Sequence, residues 1–282
     1  MRSFLYRAAL FIALLYTFAM PVLSFGQSRP KPSYFGFDRN EYPGDASLKT
    51  LRRSFSFVGY WLNNPPGASR NTWTGKRKIL QTAGFGFLVV FNGHTYKEIK
   101  AAGDPKKLGT TEGSAAVAAA KREGFSFGTV IFLDEEEGGR MLEEQRTYLH
   151  AWIDAVTDAG FRAGVYCSGR SGKAEGQEDI ITAEDIRKNA GGRNISYWVS
   201  NDACPPSPGC KLPATLSPTS SGLWFVDVWQ YSQTPRREKI TNSCAATYSK
   251  DKSCYPPGIT QQLYVDLNTA TSPDPSEGRT RN

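Results

Sequence analysis

Residues 129–138 read TVIFLDEEEG and decide the fold prediction for this chain. Four apolar residues, 130–133, run without interruption into four consecutive carboxylates, and the run stops at Gly138. A continuous apolar run is typical of a strand that is buried on both faces of a parallel sheet. Folds built on such sheets place their chemistry at the carboxyl ends of the strands. The stretch therefore predicts a buried strand that ends in an acidic cluster.

The four carboxylates divide between the two faces of this predicted strand. Side chains alternate along a strand, so Asp134 and Glu136 share one face, while Glu135 and Glu137 share the other. Asp134 and Glu136 are therefore the candidate pair for acid chemistry. The alternative is a solvated acidic cap on the following helix, which is predicted to begin near Arg140 and would be stabilised by negative charge at its amino end.

The first 26 residues have the layout of a secretory signal peptide. Arg2 and Arg7 precede an apolar segment at 8–20, and cleavage is expected after Gly26, with Ser24 as the alternative cleavage point. The apolar segment is shorter than the run of about 20 residues that a membrane-spanning helix needs. We therefore expect a secreted or periplasmic protein that has no stable membrane insertion after cleavage, with an uncleaved amino-terminal anchor as the alternative.

Cysteine usage and charge fit export. Cys204 with Cys210, and Cys244 with Cys254, could each close a small loop in an oxidising compartment, which leaves Cys167 as an odd and buried thiol. The two histidines do not occur in a metal-binding spacing, so neither a metal site nor a cofactor is predicted. The formal net charge is +7, of which the signal peptide contributes two. This charge is scattered along the chain and forms no nucleic-acid patch, so no nucleic-acid partner is predicted. A monomer is expected.

Strand-like and helical segments alternate along the mature chain, and the 39% hydrophobic content of the full sequence is enough for a full core. Eight strands are predicted at 34–38, 56–61, 85–91, 129–138, 161–168, 195–202, 223–231 and 262–268. Helices are predicted at 46–53, 75–82, 112–122, 140–159 and 182–189, with Thr182 as the N-cap of the last. The fold class is therefore α/β: an irregular TIM-like (β/α) barrel of eight strands, with helices missing or reduced after strand 6. A lead segment at 27–33, the barrel domain at 34–268 and a disordered polar tail at 269–282 complete the predicted organisation.

Motifs at the strand ends resemble those of known enzymes. The motifs GFD, LDEE, VYCS, YWVSND, WQYS and VDLN at 36–38, 133–136, 165–168, 197–202, 229–232 and 265–268 occur in the order seen in family 25 glycoside hydrolases, the lysozyme-type muramidases. The segments GFDRNEYPG, GYWLNNPPGAS, TWTGKR, GFLVVFNG and VYCSG resemble more closely a bacterial family of glycoside-hydrolase-like barrels known as a domain of unknown function. The resemblance spans residues 34–268 and implies the barrel fold.

The resemblance also implies roles for four carboxylates. It identifies Glu136 as the general acid/base and Asp134 as its neighbour, and it adds Asp38 and Asp266 to the catalytic set. Strands one and eight become neighbours when a barrel closes, so Asp38 and Asp266 should meet at the mouth that holds the other two. Crowded carboxylates raise one another's pKa, which keeps one of them protonated as an acid. Arg39, directly after Asp38, departs from the motif of the resembling family. An ion pair between the two would hold Asp38 ionised and give it a structural role.

Glycoside hydrolysis needs a proton donor and a second carboxylate, or a substrate amide in the place of the nucleophile. Aromatic and polar residues at or near strand ends are the candidate sugar-binding set: Tyr60, Trp61, Asn92, Tyr166, Tyr197, Trp198, Asp202, Trp229 and Gln230. The sequence does not establish which of the aromatics face inward. The predicted function is hydrolysis of a cell-wall or extracellular polysaccharide, with peptidoglycan as the first candidate. The alternatives are a non-catalytic carbohydrate-binding barrel and a metal-dependent hydrolase that uses the same acidic pocket.

Overall fold

A computed structural model of the protein describes residues 33–172, 180–201, 216–233, 263 and 265–279. Its strands are β1 Tyr34–Asp38, β2 Phe57–Trp61, β3 Gly86–Asn92, β4 Val130–Asp134, β5 Arg162–Ser168, β6 Ser171–Gly172, β7 Ile180–Ile181, β8 Ile195–Ser200, β9 Val228–Ser232 and β10 Asp266–Ala270. Its helices are α1 Leu48–Leu51, α2 Arg77–Thr82, α3 Tyr96–Ala101, α4 Pro105–Glu123, α5 Glu143–Asp158 and α6 Thr182–Lys188. The predicted signal peptide, residues 27–32, Asp202 and the four pairable cysteines lie outside the described residues.

Eight of the strands close into a barrel in the order β1-β10-β9-β8-β5-β4-β3-β2, which confirms the predicted fold class. All neighbouring pairs are parallel except those of β10, which is antiparallel to both β1 and β9. The direction of β10 matters for the site. Because β10 is reversed, its first residue rather than its last lies beside the carboxyl end of β1, in the pairing Asp38 with Asp266.

The helices surround the barrel and differ from the prediction in three places. Helix α4 is longer than expected, since Asp104 caps its amino end through a 2.9 Å hydrogen bond from the Lys107 amide. Helix α3 was not predicted; it begins with a capping box between Thr95 and Glu98. Thr182 is not an N-cap, because its hydroxyl accepts a 2.8 Å hydrogen bond from the Gly139 amide in a separate loop.

The described residues after β8 contain no α-helix. Among the described residues between β8 and β9, a single 3-10 turn at Pro218–Ser221 is present. In the part of the chain that the structure describes, no helix is both long and apolar enough to cross a membrane. Cys167 is a free thiol buried in β5, and burial raises its pKa.

The tail at 269–279 is ordered, so the prediction of disorder there is wrong. Thr269 and Ala270 belong to β10, and the residues after them cross the amino ends of β3 and β4. Asp274 Oδ1 accepts a 2.7 Å hydrogen bond from the Phe87 amide, and Ser276 Oγ accepts a 2.8 Å hydrogen bond from the buried Val89 amide. Polar side chains order this segment because they satisfy strand amides that would otherwise be buried without a partner.

Ser276→Ala is expected to lower the free energy of unfolding by about 1–3 kcal/mol, because it leaves the buried Val89 amide without its acceptor. Urea unfolding of the variant and the wild type measures the difference. Ser114→Ala is the matched control, because Ser114 is exposed on α4 and the same atoms are removed there. Equal midpoints for wild type and Ser276→Ala would show that the tail does not contribute to stability.

Candidate active site

The pairing register fixes which side chains at the barrel mouth face inward. Asn92 pairs with Asp134, Asp134 pairs with Tyr166, and Tyr166 pairs with Trp198. Paired residues on neighbouring strands project from the same face of the sheet. Asp134 lines the interior cavity, so the residues paired with it point to the interior as well.

The four predicted catalytic carboxylates are brought together by this geometry. Asp38, Asp134, Glu136 and Asp266 line one cavity of about 30 Å³ at the barrel mouth. The remaining lining residues are Asn40, Trp61, Tyr166, Trp198 and Gln230. Gly59 on β2 makes room for Asp38, because a Cβ atom at this glycine would lie 2.5 Å from the Asp38 Cβ.

Asp38 is buried and held by two amide side chains. Its Oδ1 accepts hydrogen bonds from Asn268 Nδ2 at 2.6 Å and from Gln230 Nε2 at 3.0 Å. These amides are held in turn, since Trp198 donates to Asn268 and Tyr166 donates to Gln230. Burial, and then the nearby Asp266, raise the pKa of Asp38 to about 8. The two amide hydrogen bonds favour the ionised form and oppose this rise.

Arg39 does not form the ion pair with Asp38 that the sequence analysis considered. Its Nη2 lies 3.8 Å from Glu41 Oε2, and its backbone carbonyl accepts a hydrogen bond from Trp61 Nε1. Arg39 is also absent from the groups that shift the pKa of Asp38. Asp38 is therefore fixed by neutral amides rather than by a cation, so it is free to take up a proton.

Asp134 is the most deeply isolated acid of the set. Asp134 is 4% exposed, and neither of its carboxylate oxygens has a hydrogen-bond partner among the residues that the structure describes. Burial raises its pKa well above the usual range, and the charges of Glu136 and Asp38 add to the effect. An ionised carboxylate without a partner is costly in such a place, so Asp134 is held as a neutral acid.

Glu136 lies on the same face as Asp134 but is exposed to solvent, and it lines the mouth cavity and a larger neighbouring groove. Its negative charge contributes to the raised pKa values of Asp134 and Tyr166. An exposed carboxyl group beside a neutral buried one can exchange a proton with both a ligand and water. The arrangement thus sets two adjacent acids in different environments.

Glu135 and Glu137 have structural roles at the strand end and do not line the mouth cavity. Glu137 Oε2 accepts hydrogen bonds from the Tyr96 amide at 2.6 Å and from Gln145 Nε2 at 2.8 Å. Glu135 is buried, accepts a 3.1 Å hydrogen bond from the Glu137 amide, and has its pKa raised to about 8 by burial. Of the four carboxylates, only Glu137 therefore acts as a helix cap, which was the alternative interpretation of the acidic run. The helix that it caps is α3 rather than α5, the helix that follows the run.

Half of the predicted aromatic platforms face away from the mouth. Tyr60, Tyr197 and Trp229 are each adjacent in sequence to an inward-facing residue, so their side chains point to the outside of the barrel. The prediction that these three bind sugar at the mouth is wrong. The Tyr60 hydroxyl donates to Glu123 of α4, Tyr197 packs against Phe225, and Trp229 Nε1 donates to a backbone carbonyl at 2.8 Å. All three are buried, with no ring face available to a sugar.

The inward aromatic residues form the floor and wall of the cavity. Trp61, Tyr166 and Trp198 are all buried, and the rings of Tyr166 and Trp198 have centroids 4.5 Å apart. Tyr166 and Trp198 contact each other and donate to the amides that hold Asp38, so these two rings position the acid more than they offer open platforms. Gln230 joins them as the link between Tyr166 and Asp38.

A larger groove of about 940 Å³ adjoins the mouth and includes Asp134, Glu136 and the predicted residue Asn92. Its other walls come from the loops after β2 and β3, from α3 and from α4, and they carry His94, Glu98, Glu112 and Arg122. Sequence reasoning missed these four as site residues. None of them lies at a strand end, and the helical spacing of α4 gives no signal that one face lines a groove.

The metal-dependent alternative lacks a ligand set in the described part of the chain. No group of three or more His, Cys, Asp or Glu side chains there has an arrangement that could hold a metal ion.

Comparisons with solved structures support the fold. A protein from B. stearothermophilus described as uncharacterized is 18% identical, with a TM-score of 0.53, over 84% of this chain and 95% of that chain. The Tat-secreted protein Rv2525c of Mycobacterium tuberculosis, solved with L-tartrate, is 10% identical with a TM-score of 0.50, over 85% and 95% of the two chains. The spore cortex lytic enzyme SleM of Clostridium perfringens is 13% identical with a TM-score of 0.50, over 85% of this chain and 68% of that one. At these identities the likeness concerns the fold alone.

No curated protein sequence matches the chain. The model of one protein family matches residues 52–202, a segment that carries Asp134 and Glu136. The match confirms the resemblance to glycoside-hydrolase-like barrels. Because it covers more than half of the chain, the protein belongs to the family of the Rv2525c-like, glycoside hydrolase-like domain.

Proposed function

We propose that the protein is an exported glycoside hydrolase that cleaves a glycosidic bond in a cell-wall or extracellular polysaccharide, with peptidoglycan as the first candidate. The observation that carries the proposal is the meeting of Asp38, Asp134, Glu136 and Asp266 around one cavity at the barrel mouth. Hydrolysis of a glycosidic bond requires a proton donor to the leaving oxygen and a second carboxylate on the other side of the sugar. Acids in contrasting environments fulfil this requirement.

The exposed Glu136 is the proposed general acid/base, since it lies where the groove meets the mouth cavity and can be reprotonated from water. The neutral Asp134 beside it is available to donate a hydrogen bond to a substrate oxygen. Asp38 and Asp266 are paired across β1 and β10, and their repulsion favours one proton shared by the pair. The remaining negative charge would stabilise the cation that develops on the sugar ring.

The size of the mouth cavity constrains where the sugar lies. The mouth cavity, at about 30 Å³, is far smaller than the adjoining groove of about 940 Å³, so the groove offers more room for a sugar ring. The proposed position of the glycan is along the larger groove, with the scissile bond over Glu136. The mouth cavity would then hold the water molecule that the reaction consumes.

Export is part of the proposal and rests on the sequence of residues 1–26, with cleavage after Gly26. The cysteine pairs Cys204 with Cys210 and Cys244 with Cys254 are the proposed disulfides of the exported form. Two proteins of similar structure fit this proposal, since one is a Tat-secreted protein and the other a spore cortex lytic enzyme.

The test is incubation of the purified mature protein with peptidoglycan and with chitin-type polysaccharides, followed by measurement of the reducing ends released and mass spectrometry of the fragments. We expect new reducing ends on at least one glycan. Saturable binding without any released reducing ends would replace the proposal by the carbohydrate-binding alternative.

A further inference from the structure

The groove beside Glu136 is large enough for two or more sugar units and has a charge opposite to that of the whole chain. Its volume is about 940 Å³, and it opens onto the carboxyl group of Glu136. The chain carries a formal net charge of +7. The groove nevertheless contains Glu98, Glu112, Glu136 and Glu137 against only His94 and Arg122 as cationic side chains among its described lining residues.

The histidine in the groove is already engaged by two of the glutamates. His94 Nδ1 lies 3.7 Å from Glu98 Oε2, and its Nε2 lies 3.8 Å from Glu112 Oε1. Glu112, followed by Glu98, raises the pKa of His94 against the opposing effect of burial. This cation is therefore held between α3 and α4 and is poorly placed to receive an anionic ligand. The carboxylates remain in excess, so the groove has a net negative charge.

Asp134 provides a second, independent sign of a ligand. It is 4% exposed, it lines the groove, and its two carboxylate oxygens have no partner among the described residues. Its carbonyl oxygen can accept a hydrogen bond from a ligand while the group is neutral, and a bound cation would favour its ionised, acceptor-only form. Carboxylate oxygens dominate the polar groups of the wall, and an ammonium group is the complementary ligand, since it has three donors and no acceptor.

We infer that the groove binds a free ammonium group carried by a glycan, in preference to the acetylated form of the same group. The inference rests on the proposed function, because it assigns a substrate class to the same site. Two sources supply this chemistry: a glucosamine whose amine is not acetylated, and an amine on a peptide attached to the glycan. Both place a positive charge on a polyhydroxylated chain.

The test is isothermal titration calorimetry with glucosamine tetrasaccharide and N-acetylglucosamine tetrasaccharide at about pH 6, where an amine is protonated. Because the ammonium group forms a charge-assisted hydrogen bond, we expect the glucosamine oligomer to bind about tenfold more tightly than the N-acetylglucosamine oligomer. Glu112→Gln should remove most of this preference. Glu143→Gln is the matched control, because it removes the same charge from an exposed position in the first turn of α5, and it should leave the preference unchanged.

A third ligand distinguishes the two sources. Soluble peptidoglycan fragments with free peptide amines are compared with the same fragments after chemical acetylation of those amines. A preference for the free amine in either pair of ligands supports the inference, and Glu112→Gln must reduce it. Equal or tighter binding of both acetylated ligands overturns it.

The outcomes separate this inference from the proposed function. An ammonium preference without any release of reducing ends supports the groove assignment and refutes the hydrolase. Release of reducing ends with equal use of acetylated and free-amine glycans supports the hydrolase and refutes the groove assignment.

Discussion

Glu136→Gln is expected to lower the rate of glycan hydrolysis by about 10²- to 10⁴-fold, the usual contribution of a general acid or base. The amide keeps the shape of the side chain but cannot transfer the proton to the leaving oxygen. Glu136 is exposed, so its replacement should leave the stability of the barrel within about 0.5 kcal/mol of the wild type. Reducing-end release under identical conditions measures the rate, and thermal unfolding checks the fold.

The matched control for this experiment is Glu143→Gln, an exposed change of the same kind on α5. It should retain the wild-type rate. If Glu136→Gln hydrolyses the same glycan as fast as the control, Glu136 is not the proton donor. Loss of both hydrolysis and binding would instead assign Glu136 to recognition of the glycan.

Glu135→Gln is expected to stabilise the protein at alkaline pH and to have little effect at acidic pH. Burial raises the pKa of Glu135 from 4.5 to about 8 in the folded protein. Between these two values the folded state holds a proton that the unfolded state has released, so the wild type loses stability as the pH rises through this window. Glutamine mimics the protonated acid at every pH and can still accept the hydrogen bond from the Glu137 amide.

The size of this effect follows from the proton linkage, at about 1.4 kcal/mol for each unit of pKa shift. The advantage of the variant should grow with pH and reach a few kcal/mol, in order of magnitude, near pH 8. Urea unfolding at a series of pH values measures it. Asp38 titrates in the same window and remains in the variant, so part of the pH dependence should persist. Parallel stability curves for wild type and variant would refute the buried-acid assignment of Glu135.

The sequence predicted the barrel because its signals are local. The apolar run 130–133 and its acidic end mark β4 without any knowledge of the other strands. Alternation along a strand is likewise a local property, so it correctly separated Asp134 and Glu136 from the two structural glutamates. Strand-end motifs then indicated that acids from the first, fourth and last strands would share one mouth.

The direction of the last strand was not available from local pattern. The pattern of apolar and polar residues at 265–268 is compatible with a strand that runs parallel or antiparallel to its neighbours. In the barrel β10 is antiparallel, and Asp266 reaches the mouth as the first residue of its strand. The ordered tail was missed for a related reason. Asp274 and Ser276 are polar residues typical of coil, and their role depends on amides of β3 that are distant in sequence and donate hydrogen bonds to them.

The sequence by itself determined most of the strands and the alternating faces of the acidic run, because period and composition are properties of short segments. The resemblance of its strand-end motifs to a known family implied the acids at the mouth. Only the tertiary structure decided which aromatic residues face inward, which glutamates anchor helices, which acids stay protonated and where the groove lies. These features depend on the phase between neighbouring strands and on burial. Both are set by contacts between residues far apart in the chain, such as Asp38 with Asn268 and Asn92 with Asp134.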